Sequence, residues 1–367
     1  MNEPDFTPTA ERRSNGLAGQ APDPGQTILV AGGAGYIGCV LVPRLLQRGY
    51  KVRVLDRFYF GEETIADFAH QIETIVADVR EVPPDALDGV DGVINLAGLS
   101  NDPTAEFDPD ANWQMNAVAT ETLGRMCVEA GVPRYVFASS CSLYDGLPPG
   151  MWGEDAPIQP RAAYATSKRY GEEKLLELAD ENPEFCPVIL RNGTVYGYSP
   201  RMRFDLVVNT FTKDALIGGK LMLHGGGWMW RPLVDVRDVA DAMIAAFEAP
   251  AEKVRGEIFN VLHSNYQIRE LAMLVAGSVQ VATGRRIELV EAPAPRLTRD
   301  YECSNSKLSA TLGFIPSRSV LEAVSDLLGE IGAWDPAKLT DPRAYNIRWL
   351  ELLSELKPGL ERFSTVL

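Results

Sequence analysis

A tyrosine and a lysine four positions apart are the residues of this chain whose spacing best suits chemistry. Tyr164 and Lys168 lie on one face of a predicted helix, because side chains four apart on an α-helix are neighbours. A phenol titrates near pH 10, too high for a base at neutral pH, but a neighbouring ammonium favours the phenolate. The spacing therefore predicts a tyrosine that exchanges a proton with a substrate hydroxyl. A surface Tyr/Lys pair without chemistry is the alternative.

Hydroxyl groups precede this helix at the end of a predicted strand. The strand at 134–139 runs into Ser140, and functional groups on parallel sheets lie beyond the carboxyl ends of the strands. A hydroxyl at that point can hydrogen-bond the reacting oxygen and orient it toward the phenol.

A glycine-rich stretch near the start of the chain follows another predicted strand. The β-branched and apolar run Thr27–Ala31 leads into three spaced glycines, and an apolar helical segment follows at 40–46. Glycines let the backbone turn sharply and approach a ligand closely, and a helix N-terminus directs free N–H groups at a pyrophosphate. A purely structural turn is the alternative. The predicted dinucleotide contacts are Gly32, Gly35, Tyr36, Ile37 and Gly38.

An acidic residue after the second predicted strand indicates which dinucleotide would bind. Asp56 follows the strand at 51–55 and is placed to accept hydrogen bonds from the adenosine ribose, where a 2′-phosphate would be repelled. This favours NAD, while Arg57 leaves NADP open. An oxidised nicotinamide ring would add a second cation beside Tyr164, and hydride would move to or from that ring while the phenol moves the proton.

Strand-like and helix-like stretches alternate as far as about residue 190. The predicted strands lie at 27–31, 51–55, 73–77, 92–97, 134–139 and 187–191, and the clearest helices at 117–130 and 164–179. This alternation predicts an α/β fold with a Rossmann-type doubly wound parallel sheet, together with a smaller C-terminal α/β substrate domain. We expect a disordered leader at 1–25, an NAD-binding domain at 26–190 plus 232–262, and a substrate domain at 191–231 plus 263–367.

Composition and charge disfavour several classes of binding partner. The formal charge of −15 over 367 residues disfavours nucleic acid and anionic membranes, and no apolar run is long enough to span a membrane. The five cysteines lack paired spacing and the three histidines lie far apart. The sequence therefore predicts free thiols, a cytoplasmic location and no metal site.

Taken together, these motifs give the chain a family resemblance. It resembles the extended short-chain dehydrogenases/reductases of the nucleotide-sugar epimerase/dehydratase group over about residues 26–330. Besides the glycine turn and the Tyr164/Lys168 pair, the matching segments are Asp78-Val79, Asn95-Leu96-Ala97-Gly98, Ser139-Ser140 through Tyr144, Arg191 through Gly197, Arg231 through Ala240 and Leu312-Gly313-Phe314. The resemblance implies an enzyme that uses NAD, acts on a nucleotide-diphosphate sugar and forms a homodimer through the helices near 117–130 and 164–179.

The resemblance also implies a role for each matched position. Ser140 takes the place of the catalytic serine or threonine, Tyr164 is the base, and Lys168 lowers its pKa and binds the nicotinamide ribose. Further implied cofactor contacts are Asp56, Asp78, Val79 and Ala97. The implied substrate contacts are Cys141, Ser142, Asn192, Thr194, Arg231 and Arg299. Of these, Arg231 would grip the diphosphate through its planar guanidinium; a surface salt bridge is the alternative.

Some positions depart from the related enzymes. Where dehydratases of this group carry an Asp-Glu pair after the catalytic hydroxyl, and decarboxylases a Glu, this chain has Cys141 and Ser142. Both reactions are therefore disfavoured. Cys141 either lines the substrate or is a packed thiol. Thr194 stands where many relatives have an asparagine that contacts the substrate phosphate. The segment Gly227-Trp228-Met229-Trp230 either lines a sugar pocket or joins the core.

Three hypotheses for function follow. The first is an NAD-dependent nucleotide-sugar epimerase that oxidises a ring hydroxyl, lets the ketone turn and reduces it from the other face. The second is a nucleotide-sugar dehydrogenase or ketoreductase with exchangeable NAD(P)(H). The third is a non-catalytic protein that senses NAD on the same fold.

Overall fold

The computed structural model describes residues 25–294 and 299–363. This part of the chain contains fourteen strands and thirteen α-helices. Residues 1–24 of the predicted leader lie outside the described residues. The strands are β1 (Thr27–Ala31), β2 (Lys51–Asp56), β3 (Glu73–Val76), β4 (Gly92–Asn95), β5 (Arg134–Ser140), β6 (Met151–Trp152), β7 (Cys186–Asn192), β8 (Thr194–Tyr196), β9 (Lys220–His224), β10 (Trp230–Asp235), β11 (Glu257–Val261), β12 (Ser264–Gln267), β13 (Glu288–Ala292) and β14 (Glu302–Cys303). The helices are α1 (Gly38–Gln47), α2 (Asp102–Phe107), α3 (Pro109–Trp113), α4 (Ala119–Ala130), α5 (Ala163–Glu181), α6 (Val207–Gly218), α7 (Val236–Glu248), α8 (Ala251–Val254), α9 (Ile268–Thr283), α10 (Ser306–Leu312), α11 (Val320–Ile331), α12 (Pro336–Leu339) and α13 (Asn346–Phe363).

Seven parallel strands form the main sheet in the order β11-β7-β5-β4-β1-β2-β3. From β1 the chain first builds outward through β2 and β3, then returns to place β4 on the other side of β1. The strand order therefore reverses between β1 and β4, and a crevice opens there beyond the carboxyl ends of the strands, where ligands of such sheets bind. The predicted Rossmann-type doubly wound sheet is confirmed.

Helices cover both faces of this sheet because its central strands are apolar on both sides. In β1, Ile28 and Val30 pack in a core with residues of α1 and α7, whereas Leu29 packs in a second core with residues of α4 and α5. The alternation follows from the two-residue period of a strand. It fixes α5, the helix that carries Tyr164, against one face of the sheet.

A second set of elements surrounds the far side of the crevice. The strands β12, β10 and β8 form a three-stranded sheet and β13 pairs with β9. Helices α6, α9 and α11 share a separate core through residues such as Val208, Leu271 and Val324. The segment 232–262, which we assign to the NAD-binding domain, contributes β11 to the large sheet and most of β10 to the small one. The division into two domains stays a prediction.

The C-terminal segment returns to the crevice. Leu339 and Tyr345, on either side of a short turn before α13, pack with Met202 and Phe204 of the loop after β8. None of the helices within 25–294 and 299–363 is long and apolar enough to cross a membrane.

Candidate active site

The glycine turn between β1 and α1 is shaped by two close approaches of the main chain. Gly32 has a φ of +81°, and a Cβ at this position would lie 2.8 Å from the amide nitrogen of Ala97. A Cβ on Gly38 would overlap the carbonyl group of Gly33. No side chain in the described part of the chain caps the N-terminus of α1 at Ile37. The turn thus leaves backbone N–H groups and the positive end of the helix dipole for a phosphate group, so the residues fit a dinucleotide.

This turn forms one wall of a deep cavity that collects the predicted catalytic residues. The other walls come from the end of β5, the start of α5 and the chain after β7. The predicted site residues on its walls are Gly32, Gly35, Tyr36, Ile37, Gly38, Ser140, Tyr164, Lys168, Asn192, Thr194 and Arg299. A dinucleotide cradle and a group able to transfer a proton therefore share one cavity.

The Tyr164 phenol and the Ser140 hydroxyl lie close together on the wall of this cavity. Burial raises the pKa of Tyr164, while the Arg299 and Arg203 guanidinium groups and the neighbouring Ser140 hydroxyl act to lower it. The protein's own side chains thus leave the pKa of this phenol above its ordinary value. We expected Lys168 to lower it, but the two arginines are the protein cations with the largest influence.

Lys168 lies on the same face of α5 but is itself constrained. Its ammonium is 5.9 Å from the centroid of the Tyr164 ring and 4.8 Å from that of Phe137. Burial lowers the pKa of Lys168 to about 8, although the Glu172 carboxylate acts to raise it. Burial thus disfavours the charged form of Lys168, which reduces its effect on the phenol.

Two neighbouring serines at the end of β5 have different partners. The Ser139 hydroxyl donates to Glu172 at 2.5 Å, whereas the Ser140 oxygen accepts from the backbone N–H of Ser142 at 3.1 Å. The Ser140 hydroxyl hydrogen is thus free to act at the phenol. This arrangement agrees with Ser140 as the predicted catalytic hydroxyl.

The predicted adenosine contacts lie next to the cavity without being part of its wall. Asp56 accepts from the N–H groups of Ala34 at 3.0 Å and Phe58 at 2.8 Å, and burial raises its pKa. The carboxylate of Asp78 accepts from Arg57 at 2.5 Å and from Arg80 at 2.6 Å. Arg57, the residue that left NADP open, is thus engaged by a carboxylate. Val79 is buried, and Ala97 packs on Gly32.

Three predicted substrate contacts lie behind the wall. The Cys141 thiol is fully buried and donates to the carbonyl of Arg191 at 3.1 Å. The Ser142 hydroxyl is buried without a hydrogen-bond partner among the described residues. Arg231 donates to the carbonyls of Trp230 and Arg299, and burial lowers its pKa.

Of the two arginines predicted to bind substrate, Arg299 is the one on the cavity wall, where it pairs with Asp102. Trp228 belongs to the segment for which the sequence left a sugar pocket or the core as alternatives. Its side chain is 59% exposed and packs under Arg269. The structure thus places Arg299 on the cavity wall and Arg231 behind that wall.

Several wall residues were missed by the sequence analysis. They are Tyr59 and Phe60 after β2, Arg201 and Arg203 after β8, and Asn346 and Leu350 of α13. Arg201 and Arg203, separated by a single residue in an irregular loop, are a signal that could have indicated these two wall residues. The α13 residues carry no such signal, because only the folding of the C-terminal segment brings them to the cavity.

The sheet and this cavity together define a dinucleotide-binding protein of the short-chain dehydrogenase/reductase class. The chain belongs to the NAD dependent epimerase/dehydratase family, whose sequence model matches residues 28–261. The predicted family and the predicted cofactor, NAD, are thereby confirmed.

Similar proteins of this family catalyse different reactions. The UDP-glucose 4-epimerase of Mycolicibacterium smegmatis is 30% identical over 81% of this chain and 96% of its own length. The dTDP-glucose 4,6-dehydratase of Streptomyces niveus is 24% identical over 86% of this chain and 96% of its own. Among solved structures, the UDP-glucose 4-epimerase of Thermus thermophilus in complex with NAD is 27% identical, with a TM-score of 0.71 over 83% of this chain and 100% of that one.

Proposed function

We propose that this protein is an NAD-dependent nucleotide-sugar epimerase that works by transient oxidation of a sugar hydroxyl. The observation that carries the proposal is that the Ser140 hydroxyl and the Tyr164 phenol lie together in the same cavity as the glycine turn. A sugar hydroxyl bound there meets a proton acceptor beside a dinucleotide cradle.

The mechanism divides the work between hydroxyl, phenol and cofactor. Ser140 holds the sugar oxygen by a hydrogen bond, and Tyr164 accepts its proton. Bound NAD supplies the acceptor for the hydride in the first half of the reaction and the donor in the second. The O–H and C–H bonds of the carbinol break to give a ketone. After the sugar turns, Tyr164 returns the proton as the ketone is reduced on its opposite face, and no net oxidation results.

The charges around Tyr164 support this role. A phenolate is favoured by the Arg299 and Arg203 guanidinium groups, which already oppose the effect of burial on the pKa of Tyr164. The positive ring of the oxidised cofactor would add to them. The phenol is thus most acidic when the cofactor is in the form that accepts hydride.

The positions after Ser140 support an epimerase over a dehydratase or a decarboxylase. Loss of water needs a group that protonates the leaving hydroxyl. Cys141 donates its thiol to a main-chain carbonyl, and Ser142 is buried behind the wall. Neither position offers the carboxylate of the related dehydratases.

A nucleotide-diphosphate sugar is the substrate class we propose. Two of the relatives above are named for UDP-glucose and a third for dTDP-glucose, and Arg299 offers a cation on the cavity wall. We also propose the homodimer and the cytoplasmic location expected from the sequence; light scattering of the purified protein tests the first.

The reaction is tested by incubating the purified protein with UDP-glucose, with dTDP-glucose and with the corresponding galactose compounds. Chromatography should show interconversion of epimers, with no steady rise of absorbance at 340 nm. A steady rise would instead support a dehydrogenase with exchangeable cofactor. Heat denaturation should release NAD from the protein.

A matched pair of variants separates an enzyme from a sensor of NAD. Tyr164→Phe should lower the turnover rate about 10²–10⁴-fold and retain NAD binding. Tyr170→Phe, on the same helix but hydrogen-bonded to Glu121, should keep the rate within about twofold. Unchanged turnover in Tyr164→Phe would refute the proposed mechanism.

A further inference from the structure

Two buried arginines line the cavity after β8, and they differ in how their charge is balanced. Arg203 is 6% exposed and forms a double hydrogen bond with Asp205, at 2.9 Å for each oxygen. Arg201 is 3% exposed and forms no ion pair with the described residues. Its Nε is buried and lacks a hydrogen-bond partner among them. A buried guanidinium without a counter-charge is unfavourable, so this position favours an anionic ligand.

The loop that carries Arg201 packs directly on the glycine turn. The Ser199 hydroxyl donates to the Tyr36 carbonyl at 2.8 Å, and the Tyr36 phenol donates to the Gly197 carbonyl at 2.7 Å. Burial and the neighbouring Arg203 lower the pKa of Arg201, while the carboxylates of Asp205 and, to a smaller extent, Asp56 act to raise it. Arg201 thus lies at the end of the cavity formed by the turn and the N-terminus of α1.

Neutral groups hold the Arg201 guanidinium in place. It stacks on the ring of Phe60, 3.5 Å from the ring centroid, and donates to the side-chain oxygen of Asn346 in α13. Asn346 in turn donates to the Ser100 hydroxyl at 2.6 Å. Stacking and an amide fix the orientation of the guanidinium but leave its charge uncompensated.

The C-terminal helix is itself attached to the loop after β2. The Trp349 indole donates to the Tyr59 carbonyl at 2.5 Å, and Leu350 contributes to the cavity wall. Helix α13 therefore closes this end of the cavity behind Arg201.

We propose that Arg201, held by Asn346 of the C-terminal helix, forms an additional anion subsite for the pyrophosphate of the bound dinucleotide. The subsite faces the glycine turn across the cavity, so the pyrophosphate would be bound by N–H groups on one side and a guanidinium on the other. The proposal rests on the proposed function only in that the cavity takes a dinucleotide.

The test measures binding in nucleotide-free protein by calorimetry, with ADP-ribose and UDP as separate probes. ADP-ribose carries the pyrophosphate of the dinucleotide, whereas UDP represents the diphosphate of a sugar nucleotide. Arg201→Gln should weaken ADP-ribose binding about tenfold or more, because a charge-assisted hydrogen bond is lost, and leave UDP affinity within about twofold. The matched control Arg285→Gln, at an exposed arginine after α9, should change neither.

A second variant keeps the proposal testable if Arg201→Gln does not fold. Asn346→Asp preserves the shape of the contact but places a carboxylate on Arg201, which would compete with phosphate. It should raise or retain the melting temperature while weakening ADP-ribose binding about tenfold. Unchanged ADP-ribose affinity in a folded variant, or an equal loss for UDP, would overturn the proposal. Absence of epimerisation by the wild type would count against the proposed function. It would not affect the conclusion on the anion subsite, which depends only on ADP-ribose binding.

Discussion

Glu172 and Arg191 form an ion pair between α5 and β7, with each side chain only 3% exposed. Two guanidinium nitrogens of Arg191 contact the carboxylate, at 2.7 and 3.0 Å. Burial by itself would lower the pKa of Arg191, but the pair with Glu172 raises it. Because Glu172 follows Lys168 by one helical turn, this pair fixes the rotation of α5 and directs Lys168 into the cavity.

Removing one partner of this pair should destabilise the protein strongly. Glu172→Gln should lower the free energy of unfolding by about 3 kcal/mol, because Arg191 would remain buried without a counter-charge. Urea denaturation measures the change. Glu177→Gln, which removes a more exposed partner of Lys174 on the same helix, should cost less than about 1 kcal/mol. Equal costs for the two variants would show that the buried pair does not fix α5.

The two serines at the end of β5 should give different kinetic results. Ser140→Ala should lower kcat/KM about 10²-fold, since it removes the hydrogen bond that holds the reacting oxygen. Ser139→Ala should lower it less than about tenfold and reduce stability by about 1–2 kcal/mol, because Glu172 loses a buried hydrogen bond. Steady-state kinetics and urea denaturation on both variants provide the comparison. A larger kinetic loss in Ser139→Ala would reverse the assignment of the catalytic hydroxyl.

Gly32 should tolerate a methyl group less well than another glycine of similar φ. Gly131, at the end of α4, has a φ of +71° and open space around it, so Gly131→Ala should cost about 1 kcal/mol from backbone strain alone. Gly32→Ala adds a clash with the main chain at Ala97. It should cost more and weaken NAD binding at least about tenfold. Thermal unfolding and calorimetry measure both effects, and equal stability of the two variants would argue against the close approach.

Lys168 should make stability depend on alkaline pH. The pKa of Lys168 is lowered by burial from 10.5 to about 8 in the folded protein, so above pH 8 the unfolded chain binds more protons and the wild type gains stability as pH rises. Below pH 8 the buried lysine is charged in the folded protein, which lowers the free energy of unfolding. Lys168→Met removes this unfavourable contribution. The stability of Lys168→Met relative to wild type should therefore fall by about 3 kcal/mol between pH 7 and pH 10.5.

Urea denaturation at several pH values provides this comparison. Lys174→Met, on the same helix, removes a partly exposed lysine whose pKa is raised by a hydrogen bond to Glu177. Its stability relative to wild type should stay constant between pH 7 and pH 9. A parallel trend for the two variants would contradict the effect of burial on Lys168.

The elements of the sheet could be predicted from the sequence because their signals are local. Each of the six strands predicted before residue 192 is present, with its ends within two residues of the prediction. Buried parallel strands are continuous apolar runs that end at glycine or polar residues, and such runs need no information about distant parts of the chain. The glycine turn and the Tyr164/Lys168 spacing are local in the same sense.

The electrostatics of the site depend on residues far apart in the sequence. The groups that oppose burial at Tyr164 include Arg203 and Arg299, and neither lies near it in the chain. Lys168, the neighbour that the spacing indicated, has a lowered pKa of its own. Helical spacing gives proximity, but the pKa of a phenol follows from its burial and from every charge around it.

The sequence by itself determined the sheet, the dinucleotide turn and the helix that carries the phenol, because each arises from residues within one turn or one strand. Only the tertiary structure decided that Arg299 rather than Arg231 reaches the cavity, and that α13 supplies Asn346 to Arg201 across 145 residues. These contacts exist only once separate segments have packed together, and no periodicity along the chain encodes such a meeting.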